Sequence, residues 1–451
     1  MLYYTSEKFI KYFLKEGIYM KYYCIGIKGA GMSTLANILS DLGNEVSGYD
    51  DTIKYKFTEE GLRSRNISIF HEPHEIDSDT IVTYSKAFSS EHPEIKRVKE
   101  LGLEIRDYNQ VVGDVTKLFE TIGICGTHGK TTVSLLVSDI LKNTIGCNYF
   151  VGDGTGYAEK SNKLFVIESD EFNKHFLAYH PSLSVITNIE LDHTECYDGL
   201  EYIINTFDTF TNKARLSVAC GDDENVRKIN FKNDVIFYGF NEDNDVVARK
   251  VELTDGGSKF DVYIEGELFD SYSIPLFGKH MILNAMAAII IARKYGIDKE
   301  LIKKYLSEFK GAKRRFKEDK INEYIIIDDY AHHPTEISVT LDAARQKYPD
   351  KEIVAVFLPN TYSRTEVMMN EFAKVLQKAD KAYIMDIHCD REKQSDYPGV
   401  SSDTLIDKVL NAEKVSLETV EKLLIHKNSV ICFMSCANIY VILDKFKEII
   451  K

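Results

Sequence analysis

The sequence is poor in proline, has no surplus of positive charge and contains no long apolar run. Proline occurs 8 times in 451 residues, and 44% hydrophobic with 28% charged residues is the ordinary balance of a globular chain. Collagen-like and disordered classes are excluded by that composition. Lys and Arg number 56 against 70 Asp and Glu, a formal net charge of −14. A phosphate backbone needs a surplus of cations, so general nucleic-acid binding is excluded, while local amides and one or two lysines can still hold a small anion. No stretch approaches the roughly 20 apolar residues of a membrane span, and no membrane partner is expected. Lys and Glu interrupt the opening residues, so no secretory core is present. Residues 1–19 read equally as an amphipathic helix or as an extension upstream of a start at Met20. The eight cysteines form no Cys-x-x-Cys pair, and Cys432 and Cys436 match no usual zinc spacing. They read as reduced, buried thiols of a cytoplasmic protein.

Short apolar runs alternate with helix-length amphipathic segments, the pattern of an α/β chain with parallel strands. The clearest strands are expected at 22–27, 121–125, 164–168, 184–189, 324–328, 353–357, 382–387 and 430–434. Alternating residues and an Asp-Gly-Gly turn over about 236–275, including VIFYGF, point to antiparallel ribbons inserted in the middle of the chain. At about 150 residues per domain the length allows three domains. The expected boundaries are 1–113, 114–312 and 313–451, where polar segments flank separate α/β patterns.

Several turns carry chemistry. Gly29, Ala30, Gly31, Met32 and Ser33 lie between a strand and a helical run, where backbone amides can approach a phosphate, and Asp50 ends the next strand, placed to accept from a ribose or base. A dinucleotide fingerprint would have a third glycine where Thr34 stands. Gly126-Thr127-His128-Gly129-Lys130-Thr131-Thr132 follows the strand TIGIC and reads as a shortened phosphate loop. Its amides would cradle phosphate, Lys130 would neutralise it, and the Thr131 hydroxyl would ligate Mg²⁺. Glu168 and His193 stand at the carboxyl ends of two following strands, where further magnesium ligands belong. Asp328-Asp329-Tyr330-Ala-His332-His333-Pro334-Thr335-Glu336 is better read as a substrate-facing loop than as a zinc site, because adjacent histidines do not easily reach one ion. Arg315 and Arg364 suit anion clamping, being always charged and bidentate. His280 and Asn284 open an Ala-rich helix.

In this order, GAGMS at 29–33, GTHGKTT at 126–132, TNIELDH at 187–193 and DDYAHHPTE at 328–336 resemble the Mur ligase family across residues 20–451. The segment ending in TNIELDH looks like the Gram-positive form. The resemblance implies three α/β domains: a Rossmann-like UDP-sugar domain, a P-loop-type central ATPase domain with a small antiparallel β insertion, and a Rossmann-like C-terminal amino-acid domain. It implies that Gly29–Ser33, Asp50 and Ser85 contact the UDP-sugar, and that the 126–132 loop holds ATP with Mg²⁺ on Thr131, Glu168 and His193. His280 and Asn284 would face adenine, Arg315 and Asp329 would touch the nucleotide, and Tyr330, His332 and Arg364 would form the amino-acid pocket. The implied activity is ATP-dependent amide formation between the lactyl carboxylate of UDP-N-acetylmuramate and L-alanine, in a monomer or homodimer.

The chain departs from the family pattern at Thr34, Met281, Asn360 and the Ser435–Asn438 loop, and it has no lysine following His193 where some sister ligases carry a carbamylated one. For the amine's proton, His332 and His193 both stand as candidate general bases. Other readings are a ligase that recycles a whole peptide, a Mur-type ligase for another amino acid, an NAD-dependent dehydrogenase resting on the first glycine turn, and a non-catalytic ATP-binding regulator.

Overall fold

The computed structural model describes residues 19–193, 196–389 and 392–451. The helix-or-extension reading of residues 1–19 therefore lies almost wholly outside the described residues. The chain divides into two compact units. The first takes the chain as far as Glu190 together with Glu201–Val246 and Ala287–Ile302, and the second takes Leu191–Leu200, Val247–Met286 and Lys303–Lys451.

The first unit opens with a parallel sheet in the order Ser68–Phe70, Glu45–Tyr49, Lys21–Ile25, Thr80–Tyr84, Glu104–Asp107. Its central strand, KYYCI, is buried on both faces, as parallel strands covered by helices must be. The same unit holds a second parallel array in the order Asp234–Gly239, Leu216–Cys220, Leu183–Ile186, Glu120–Cys125, Leu164–Glu168, Asn148–Phe150, edged by the antiparallel strand Gly156–Tyr157. The helix Lys130–Lys142 buries Val133, Leu136, Val137, Ile140 and Leu141, one face at helical spacing.

In the second unit Gly257–Ile264 pairs antiparallel with Glu267–Ile274. A further sheet runs Lys317–Ile321, Tyr324–Asp329, Val430–Met434, Ile353–Phe357, Lys381–Ile384, Ala412–Lys414, parallel except for the first pair. Apolar clusters cover both its faces, one around Ile327, Phe357 and Leu376 and one around Val356, Phe433 and Phe446.

Within the stretch expected as ribbons, Gly257–Ile264 and Glu267–Ile274 pair antiparallel, while Asp234–Gly239, which holds most of VIFYGF, pairs parallel with Leu216–Cys220. The strand expected at 184–189 ends at Ile186, because residues 187–190 leave the sheet to hold the neighbouring glycine turn at 126–129. The polar stretch at 113–117 closes the helix Tyr108–Thr116, where a Cβ on Gly113 would lie 2.3 Å from the Ala178 carbonyl oxygen.

Candidate active site

The strand Glu120–Cys125 delivers the chain into the turn at 126–129, and the helix Lys130–Lys142 leaves it. Gly126 has φ 134°, and a Cβ there would meet Thr187 Oγ1 at 2.0 Å, so only glycine fits. Gly129 is the left-handed N-cap, and the helix's first turn has neither a side-chain cap nor an acidic residue. Its amides and dipole therefore favour an anion. Residues 187–190 strap the turn: Asn188 Oδ1 accepts from the His128 amide at 2.8 Å, and Thr187 Oγ1 donates to the His128 carbonyl at 2.6 Å. The Glu190 amide donates to Thr127 Oγ1 at 2.8 Å, and His128 Nε2 lies 3.3 Å from Glu190 Oε2.

Lys130 curls over this turn. Its ammonium donates to the carbonyls of Gly126 at 2.7 Å and Thr127 at 3.1 Å, and it lies 2.9 and 2.8 Å from the two oxygens of Glu171. Burial works to lower its pKa, but Glu171, Asp170 and Glu168 outweigh that and raise it, so the ammonium stays charged. Thr131 Oγ1 donates to Glu168 Oε1 at 2.8 Å, and the Gly152 amide donates to Glu168 Oε2 at 2.7 Å. Burial raises the Glu168 pKa against the pull of Lys130. A hydroxyl beside a carboxylate is a pair of hard oxygen donors, which fits magnesium.

The first glycine turn is built on the same plan. Gly26 takes φ 81°, and Gly29 caps the helix Ala30–Asp41, again without a side-chain cap or an acid in its first turn. A Cβ on Gly31 would meet the Tyr108 hydroxyl at 2.6 Å. Met32 and Ser33 are buried, and Ser33 Oγ donates to the Ala30 carbonyl at 2.9 Å. Asp50 is buried and braces backbone, accepting from the Lys28 amide and the Thr52 amide, each at 3.0 Å. The Ser85 amide donates to the Ile25 carbonyl, which brings Ser85 to the end of the central strand. Thr34, standing for the third glycine, is accommodated by Gly156, whose Cβ would lie 2.5 Å from Thr34 Cγ2.

The second unit gathers the remaining residues into two groups. Arg364, in the helix Tyr362–Val367, reaches Asp192 Oδ1 through Nη2 at 2.9 Å and Nε at 3.2 Å. His193 is beside them, its amide 2.8 Å from Asp192 Oδ1. Burial alone would raise the Asp192 pKa, but Arg364, then His193, His332 and His333, hold it far below the carboxylate range. In the other group Arg315 Nη1 donates to Glu336 Oε1 at 3.1 Å, and Glu336 Oε2 accepts from the His332 amide at 3.0 Å. Asp329 accepts from the amides of Phe316 at 2.7 Å and Ala331 at 2.8 Å, and burial pushes its pKa up to about 6. Tyr330 sits edge-on to His332 at 5.4 Å, with the Arg315 guanidinium 5.2 Å from its ring. His333 caps the next helix with Pro334 at its start and Glu336 closing a capping box. His280 is half-buried, and desolvation with the nearby Arg315 charge lowers its pKa to about 4, while Asn284 on the same helix donates weakly to Met281 Sδ at 3.7 Å.

Sequence reading did not assign Glu171, Asn188, Asp192, Glu336 or Lys28. Two of them had a local signal: Glu336 stands at capping-box spacing from His333, and Asn188 lies inside the TNIELDH run.

A glycine turn with a charged lysine, opening a helix on a parallel strand and facing an acid-tipped neighbour strand, defines a nucleotide-binding α/β enzyme. The chain matches the Mur ligase family catalytic domain over residues 21–120, the Mur ligase middle domain over 124–292 and the Mur ligase glutamate ligase domain over 314–431. It belongs to the Mur ligase family. It is 41% identical over 421 residues to the UDP-N-acetylmuramate–L-alanine ligase of Lacticaseibacillus paracasei, covering 93% of this chain and 96% of the relative. The same figures hold for the enzyme of that name from Lacticaseibacillus casei. Among solved structures, the UDP-N-acetylmuramate–alanine ligase of Thermotoga maritima superposes with a TM-score of 0.79 at 27% identity, over 95% of this chain and 99% of that one. A murein peptide ligase from Psychrobacter arcticus shares the fold, with a TM-score of 0.67 at 20% identity over 95% and 98% of the two chains. No helix among the described residues is long and apolar enough to cross a membrane.

Proposed function

We propose that this chain is an ATP-dependent, ADP-forming ligase that joins L-alanine to the lactyl carboxylate of UDP-N-acetylmuramate during peptidoglycan precursor synthesis. The observation that carries the reading is the 126–131 turn, where a charged Lys130 lies over its own carbonyls beside the Thr131–Glu168 pair, in a chain 41% identical to ligases of that name.

A carboxylate is a poor electrophile and must be activated. Lys130 and the amides of the helix start neutralise the outer phosphates of ATP, so that the lactyl oxygen can attack the γ-phosphorus and expel ADP, leaving an acyl phosphate. The alanine amine then attacks the acyl carbon, and phosphate leaves. Arg364 pairs the alanine carboxylate in place of Asp192, with Tyr330 and His332 completing the pocket. His332 or His193 takes the amine's proton. Magnesium, which when bound draws charge from the transferring phosphate, has Thr131 and Glu168 as its proposed oxygen ligands, and the family resemblance adds His193. Gly29–Ser33, Asp50 and Ser85 serve the UDP-sugar; His280, Asn284, Arg315 and Asp329 serve the nucleotide. The proposed domains are 1–113, 114–312 and 313–451, in a cytoplasmic monomer or homodimer.

The test is phosphate release with UDP-N-acetylmuramate, ATP and Mg²⁺ against a panel of amino acids. Release that depends on L-alanine supports the reading. Release with a peptide or another amino acid instead, or none, overturns it.

A further inference from the structure

A lysine in a glycine turn is ordinarily read as an anion ligand. Lys28 does not fit that reading, because every polar group it has is turned toward the segment 50–59. Its amide donates to Asp50 Oδ2 at 3.0 Å, and its carbonyl accepts from Thr58 Oγ1 at 2.7 Å. Its ammonium donates to the carbonyls of Thr52 and, at 3.2 Å, Lys54, and pairs with Glu59 Oε1 at 2.8 Å. Lys28 and Glu59 side chains are 1% and 3% exposed, so this is an internal ion pair. A buried ammonium with a carboxylate and carbonyls around it is neutralised where it stands and has little field left for a diphosphate. Glu59 is fixed in turn by the Lys56 amide at 3.0 Å and by Arg63 at 2.9 Å.

The segment it gathers leaves the carboxyl end of Glu45–Tyr49, whose Tyr49 carbonyl receives the Gly26 and Ile27 amides at 2.7 and 3.1 Å. In open α/β sheets, ligands bind outside the carboxyl ends of the strands. The turn at 26–31 and the segment 50–59 thus form two walls of one region, and Lys28 is the tie between them. With the carbonyls of 52–54 drawn inward, Ile53, Tyr55 and Phe57 face outward, each at least 60% exposed.

We propose that Lys28, with Glu59 as its counter-ion, is a positioning residue for the nucleotide-sugar substrate: it holds the 51–58 segment against the Gly29–Ser33 turn and does not itself contact the diphosphate. This rests on the reading of that turn as the UDP-sugar site. Two measurements test it. In hydrogen–deuterium exchange of the full chain without substrate, Lys28→Met accelerates exchange in peptides covering 52–58 and leaves those covering 126–132 unchanged. In steady-state kinetics, Lys28→Met and Glu59→Gln each raise KM for UDP-N-acetylmuramate about tenfold, with KM for ATP and kcat within about twofold, and the double variant is no worse than the poorer single one. Unchanged exchange at 52–58, or a Glu59→Gln variant whose KM falls because a freed ammonium reaches the phosphates, overturns the proposal. If Lys28→Met does not fold, Glu59→Gln decides alone: a raised KM supports the tie, and an unchanged or lowered one refutes it. A wild-type chain that never turns over UDP-N-acetylmuramate would sink the functional reading while the exchange result still judges the tie.

Discussion

The two glycine turns of the first unit share a strand, a left-handed glycine, an uncapped helix start and a lysine paired with a glutamate, yet their lysines do opposite things. Lys130 stays over its own turn, on the carbonyls of Gly126 and Thr127, with Glu171 beside it and 13% of its side chain exposed. Lys28 leaves its turn for the carbonyls of another segment and is sealed there with Glu59 at 1% exposure. A shared motif thus fixes where amides point but not where the cation goes. The partner carboxylate decides that, and it comes from elsewhere in the chain.

The largest expected effect breaks the comparison at the second turn. Lys130→Ala should lower alanine-dependent phosphate release by about a thousandfold or more, the scale of removing a main electrostatic stabiliser of the transition state. Binding of UDP-N-acetylmuramate, followed by calorimetry, should persist, since the first turn does not use Lys130. Near-normal turnover would refute its role. A change outside both turns sharpens the contrast: Arg364→Ala should raise KM for alanine about a hundredfold, the cost of unpairing a buried charge-assisted contact, with KM for ATP within about twofold. An equal rise in both constants would place Arg364 in the nucleotide site instead.

The second turn was legible in sequence because its chemistry is local: glycines, lysine, threonine and the strand TIGIC are contiguous, and Glu168 ends an obvious apolar run. The parallel core was legible for the same reason, in runs such as IVAVF and VICFM. Long-range pairing was not. Nothing local says that Lys28 meets Glu59, or that Asp192 meets Arg364. The adenine and amino-acid roles came from resemblance, since His280 and Tyr330 carry no signal of their own. The alternation of VIFYGF did not say that Asp234–Gly239 pairs parallel with Leu216–Cys220.

A smaller effect concerns how each helix start is fixed. The second turn is strapped by hydrogen bonds from residues 187–190, whereas the first helix is set by packing of Thr34 on Gly156. Gly156→Ala should therefore cost about 1–3 kcal/mol by overpacking. Adding Thr34→Ala, which removes the opposing methyl, should recover much of it. Urea midpoints of the two singles and the double measure the coupling, and simple additivity would show that the contact does not set the helix.

The smallest effect is in the acid response of the two glutamates. Burial opposes ionisation of both, but Lys28 and Arg63 hold Glu59 down to about 2, whereas burial prevails at Glu168 and raises it. A depressed folded-state pKa gives stability that is complete above the unfolded value and disappears as pH falls through the folded one. A raised pKa has the opposite sign: the folded state takes up a proton more readily than the unfolded, so acidification from neutral relieves a cost. Glu59→Gln should accordingly lose most stability relative to wild type at pH 6, with the gap closing between pH 4.5 and pH 2. Glu168→Gln should be most favourable to stability at neutral pH, and its advantage should shrink as the wild-type carboxyl protonates. Urea midpoints across that range separate the two, and parallel pH profiles for the variants would mean that the turns are electrostatically alike.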